Sequence, residues 1–167
     1  AITQYSVYCD VRDSVTGHFY VRRSLISTLT RPTTGTNRLY EHPQAQVVNC
    51  GGVIYILYLK DDSGTRKIYH KKIDTTSGSL SQSDLIPHTE TVLADSAGAS
   101  SQAIPFATCP VFSAVAVNNA SITNGFAVVF PVDANDGRIL TYNSSAAQQA
   151  KRDFQPTSDG GTTQTDF

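Results

Sequence analysis

The sequence predicts an all-β fold built from repeated antiparallel meanders, and three observations carry that expectation. The apolar runs are short, β-branched and aromatic, as in Val53-Ile54-Tyr55-Ile56-Leu57-Tyr58-Leu59. Clusters of Asp, Ser, Thr and Gly punctuate them at Asp13–Gly17, Asp61–Gly64, Asp74–Gly78 and Asp133–Gly137, which is turn chemistry. Residues that favour exposed helix faces are scarce: the only glutamates are Glu41 and Glu90, whereas Ser and Thr abound.

A first unit opens the chain. Tyr5 to Val11 reads as a strand, Asp13-Ser14-Val15-Thr16-Gly17 as its turn and His18 to Ser24 as the return. The second begins with the lead-in Pro43 to Asn49. It continues through Val53–Leu59, whose unbroken apolarity marks a strand buried on both faces. A hairpin turn with Gly64 taking the positive φ leads into a returning strand from Thr65 to Ile73, and a weaker strand follows over Ser79–Ile86. The third unit repeats the order. Its strands are Ala114–Asn118, Phe126–Val132 and Arg138–Asn143, separated by turns at Asn119–Gly125 and Asp133–Gly137. Ser145–Phe154 has helical composition, and the segment 146–167 reads as a polar C-terminal arm outside a single all-β domain over 1–145.

Stacked units of this kind suit β-propeller-like blades, completed by oligomerisation because 167 residues are too few for a whole ring, or alternatively a β-sandwich. A β-trefoil is weakened by the uneven spacing of the copies.

Hydrophobic residues form 40% of the chain and charged residues 16%, a globular composition. The formal net charge is −1, with both signs scattered, so the basic footprint of a nucleic-acid binder is missing. The Arg66-Lys67 and Lys71-Lys72 pairs read as a solvated sheet edge. No apolar run is long enough to span a membrane as a helix. The odd cysteine count, Cys9, Cys50 and Cys109, permits at most one intramolecular disulfide, and the three read best as small buried apolar groups. Asn119-Ala120-Ser121 and Asn143-Ser144-Ser145 are glycosylation sequons, compatible with secretion.

Catalytic motifs are absent from the sequence: there is no nucleophile elbow, phosphate loop or His-Glu-x-x-His, and the aspartates sit in turns. His18, His42, His70 and His88 are not spaced as metal ligands. The turn Asp133–Gly137 is one residue short of a calcium-loop start and lacks the closing glutamate. Neither an enzyme nor a cofactor or metal is expected.

What remains is an aromatic-plus-arginine pair after each turn glycine: Tyr20 with Arg22, Arg66 with Tyr69, and Arg138 with Tyr142. Sugar sites use an aromatic face against the ring and directional donors to the hydroxyls. The meander pattern over Tyr40–Ser145, with its Ser/Thr/Asp-rich turns and sequons, resembles the fungal β-propeller lectins of the fucose-binding type. Asp61-Asp62-Ser63-Gly64-Thr65 is in turn similar to the structural Asp-box turn of sialidase-like propellers. The lectin resemblance implies a secreted, multivalent, homo-oligomeric glycan-binding protein. The chain departs from that family in having no Trp and no Arg in the strand Val53–Leu59, so none of its ligand residues is carried over. The expectation is therefore a non-catalytic lectin whose partners are glycans or glycoproteins. The rival is a structural or assembly protein such as a viral coat or surface domain.

Overall fold

The computed structural model describes residues 4–30, 45–62, 65–87, 89–93, 112–131 and 137–154. These form ten strands: β1 (Gln4–Arg12), β2 (Phe19–Thr30), β3 (Ala45–Cys50), β4 (Val53–Asp62), β5 (Thr65–Asp74), β6 (Thr91–Val92), β7 (Ser113–Val117), β8 (Gly125–Pro131), β9 (Gly137–Tyr142) and β10 (Gln148–Phe154). All pairings are antiparallel between sequence neighbours, giving a hairpin β1-β2 and two four-stranded meanders, β3-β4-β5-β6 and β7-β8-β9-β10. The expected all-β meander architecture is thus observed. Its units are blade-like, they stack face to face, and among the described residues they close neither a barrel nor a propeller ring.

The middle meander lies between the other two. Alternation along β4 sends Tyr55, Leu57 and Leu59 to one face and Ile54, Ile56 and Tyr58 to the other. The first set joins Val48, Cys50, Phe126, Val128, Phe130, Leu140 and Tyr142 in a core shared with the third sheet. The second set meets Val7, Cys9, Val11, Val21 and Ile26 of the hairpin, together with Leu85. Continuous apolarity in β4 therefore has the physical cause that the sequence implied: over Tyr55–Leu59 both faces are buried.

Several specific contacts fix the interface between the middle and third sheets. Tyr55 stacks obliquely on Phe126 at 5.0 Å, and Phe126 stacks on Tyr142 at 4.9 Å. The buried Tyr55 hydroxyl donates to the Ser144 carbonyl at 2.6 Å, and burial pushes its pKa up to about 12. Cys50 donates through Sγ to the Gly125 carbonyl at 3.2 Å. The β3–β4 hairpin turns on Gly51 and Gly52, at φ +64° and +100°, the positive pair that a two-residue turn of this type requires. Any Cβ at Gly51 would collide with the side chain of Asn124, so the same glycine lets the two sheets approach.

Three sequence expectations are corrected. Ser79–Ile86 does not extend as a strand: Ser81 donates to the Asp84 carboxylate from both its backbone N–H and its hydroxyl, at 2.7 Å each, closing a 3-10 turn over Gln82–Leu85. That turn buries Leu85, and the fourth strand forms later as β6. Ser145–Phe154 is not helical. Its last seven residues are β10, for which the open edge of β9 supplies backbone partners that override helix propensity, and the sheet therefore continues past residue 145. Gly137 is the first residue of β9 instead of a turn residue, and the Phe154 ring occupies the space where its Cβ would lie. Of the turns, Asp13 closes its loop as expected, accepting from the Val15 and Thr16 N–H groups at 2.9 and 2.7 Å with Gly17 at φ +71°. Ser63-Gly64 and residues 132–136 lie outside the described residues. So does Cys109, whereas Cys50 is a buried free thiol and Cys9 a half-buried one.

A polar clamp joins the hairpin to the middle sheet. Glu90 accepts from Tyr58 Oη at 2.5 Å, Lys60 Nζ at 2.5 Å and Ser27 Oγ at 3.3 Å. Burial opposes ionisation of Glu90, but the hydrogen bonds from Lys60, Tyr58 and Ser27 outweigh it and hold the carboxyl below its usual range. Glu90→Ala strands the Tyr58 hydroxyl in the core, and we expect a loss of about 1–3 kcal/mol in chemical denaturation at neutral pH. No change in the midpoint would contradict the clamp.

His70 is buried on the face of β5 that looks toward the third sheet, edge-on to Tyr55 at 5.3 Å, and its Nδ1 has no hydrogen-bond partner among the described residues. Burial, aided by Lys72, lowers its pKa from 6.5 to about 4. The folded protein therefore resists a proton that the unfolded chain accepts. The stability present above pH 6.5 is lost as pH falls toward 4, by roughly 3 kcal/mol in total. Denaturation midpoints measured across this range should fall with acidification, and His70→Gln should flatten that part of the profile. Equal slopes in the two proteins would refute the assignment.

Candidate functional site

The six residues expected to bind a ligand have different fates. Tyr142 is fully buried, stacked on Phe126. Arg138, four residues earlier on β9, is also buried and grips Asp153 of the neighbouring strand through two hydrogen bonds, Nε to Oδ1 at 2.5 Å and a terminal nitrogen to Oδ2 at 2.8 Å. This bidentate pair shields the sheet edge and holds the Asp153 carboxyl below its ordinary pKa. Tyr69 stacks on Tyr58 at 6.4 Å with Lys60 Nζ 5.1 Å from its ring centre, and so belongs to the packing around the Glu90 clamp. Arg66 occupies β5 opposite Asp61. The three Tyr/Arg pairs are therefore not equivalent: Arg138 and Tyr142 are buried in the third sheet and Tyr69 packs at the clamp, whereas Tyr20 is exposed.

The first unit keeps its pair at the surface. Tyr20 and Arg22 lie on β2, and Tyr20 is 42% exposed. Tyr20 Oη donates to Asp13 Oδ2 at 3.0 Å, and its backbone carbonyl accepts from Gln82 Nε2 at 2.6 Å. His18 stands edge-on to Tyr20 at 5.8 Å. Hydrogen bonds from Thr16, Tyr20 and Val15 hold Asp13 ionised, lowering its pKa to about 2. The turn, the tyrosine and the 3-10 segment are therefore tied to one another.

This arrangement opens a groove of about 560 Å³ between the hairpin and the middle sheet. Arg12, His18, Phe19 and Tyr20 form the hairpin wall, Ile54 and Leu85 the apolar floor, and Ser81 and Gln82 the opposite rim. Arg12 lies opposite Phe19 in the β1–β2 register, and its guanidinium sits 4.0 Å above the Phe19 ring. Arg22 approaches the same ring at 4.4 Å. No carboxylate lines the groove among the described residues. Sequence reasoning found Tyr20 and Arg22 but missed Arg12, Phe19, His18 and Gln82. The pairing of Arg12 with Phe19 across the Asp13–Gly17 turn was its available signal. Gln82 carried none, since only the unexpected 3-10 turn brings it to Tyr20.

A second groove, lined in part by Lys72, Asp74, Thr76 and Asp84, adjoins the first at Leu80. Of the sequon residues, exposed Asn119 closes its turn by accepting from the Ser121 and Ile122 N–H groups. Half-buried Asn143 does the same for Ser145 and Ala147. Among the described residues no helix is long and apolar enough to cross a membrane. No family model, curated protein or solved structure matches the chain.

Proposed function

We propose that this chain is a secreted, non-catalytic carbohydrate-binding protein that acts as a homo-oligomer, with the hairpin groove as its ligand site. The observation that carries the reading is the make-up of that groove: two aromatic side chains, an arginine, a histidine and a glutamine around an apolar floor. Aromatic faces suit the apolar side of a sugar ring, while Arg12, His18 and Gln82 supply directional hydrogen bonding. The volume, about 560 Å³, accommodates one or two sugar units within the range usual for small-ligand sites. Among the described residues the lining has no carboxylate pair for glycoside hydrolysis, which supports binding over catalysis. With one aromatic-walled groove among the described residues, multivalency would come from association of chains and not from internal repeats.

A second reading, a structural or assembly subunit, has its own support. The edge strands β3 and β7 lie beside one another and expose Val47 and Val115 at 65% and 58%. Exposed apolar edges of this kind favour chain–chain contact.

A glycan array probed with folded protein tests the first reading. We expect binding to a defined glycan class, weakened about tenfold or more by Tyr20→Ala, in line with loss of an aromatic contact and its packing. A blank array from folded protein, with light scattering showing a large assembly, would replace the lectin reading with the assembly one.

A further inference from the structure

Resting on the carbohydrate reading, we propose that the groove selects acidic saccharides, with Arg12 as the residue that binds the sugar carboxylate. Both guanidiniums lie over one ring, Phe19, at 4.0 and 4.4 Å, and Phe19 itself lines the groove. Two like charges on one aromatic ring repel each other, and neither has a carboxylate partner within ion-pair distance among the described residues. A guanidinium stacked on an aromatic face has that face covered while its N–H edges stay available, the geometry that receives a carboxylate in a bidentate manner.

The acidic groups nearby do not fill this role. Asp13 accepts from Val15, Thr16 and Tyr20, and Asp10 accepts from the Arg23 backbone N–H at 2.7 Å. Each is committed to shaping its turn or bulge. His18 stands on the same wall as a further donor. Against this cationic wall, the floor of Ile54 and Leu85 and the ring of Tyr20 give an apolar surface for the sugar ring. An anionic sugar thus meets the Arg12 guanidinium on the groove wall with no carboxylate among the described lining residues to compete for it, whereas a neutral sugar offers it no opposite charge.

The test is isothermal titration of the full chain with two acidic probes, 3′-sialyllactose and trigalacturonate, and two neutral ones, lactose and galactotriose. We expect one of the acidic probes to bind at least tenfold tighter than its neutral counterpart, by the typical strength of a charged hydrogen bond. Arg12→Gln should remove most of that preference, whereas Arg22→Gln, outside the groove lining, should remove less. Arg12→Lys should restore only part, because a lysine keeps the charge and loses the fork. The preference should also shrink as salt rises from 50 to 500 mM. Equal binding of acidic and neutral probes would overturn this inference while leaving the carbohydrate reading intact. Binding of none of the four, together with a blank glycan array, would remove both. Acid-selective binding unchanged in Arg12→Gln would overturn the assignment to Arg12.

Discussion

The constraint on which the rest of the molecule depends is the burial of β4 on both faces. A strand with water on one side can take polar residues at every second position, but β4 cannot, and Tyr55 to Leu59 are all buried. Its polar atoms must then find partners inside the protein. The Tyr55 hydroxyl reaches across to Ser144, and the Tyr58 hydroxyl reaches Glu90, so each face of the strand carries one tyrosine whose polar tip ties it to a neighbouring layer. The aromatic body supplies burial and the hydroxyl supplies direction, which fixes how each layer sits on β4.

The groove is a consequence of that stacking. The hairpin β1-β2 packs on the outer face of β4 through alternate residues only, so its other residues and its turn project beyond the sheet. The 3-10 segment fills one side of this overhang with Leu85 and sends Gln82 to the Tyr20 carbonyl. What is left between them is the space walled by Arg12, Phe19 and Tyr20. The site thus stands on a hairpin anchored to the most buried strand of the middle sheet, which keeps its aromatic wall in place without a ligand.

The strands were legible in the sequence to the extent that local chemistry decides them. β4, β5, β8 and β9 have unbroken apolar or alternating runs bounded by Asp- and Gly-containing turns, and their positions could be read within a few residues. The 3-10 turn was not, because its cause is a side-chain hydrogen bond between Ser81 and Asp84 that competes with extension. β10 was hidden for the opposite reason: its Ala- and Gln-rich composition favours a helix, and only the open edge of β9 makes it a strand. The candidate site was half legible. Tyr20 and Arg22 stand where the turn pattern placed them, whereas Arg138 and Tyr142 have the same local pattern and are buried, since exposure depends on which face the next sheet covers. Sequence spacing contains no information on that choice.

Hydrogen exchange of the β4 amides, Val53 to Leu59, followed by NMR under native conditions, tests the central claim most directly. If β4 is the strand enclosed by both neighbouring layers, these amides should exchange only through global unfolding, with opening free energies equal to that measured by denaturant. Exchange of the same amides at free energies well below the global value, while the third sheet stays protected, would mean that the hairpin and its sheet detach independently. That result would contradict the account of β4 as the strand that joins the layers.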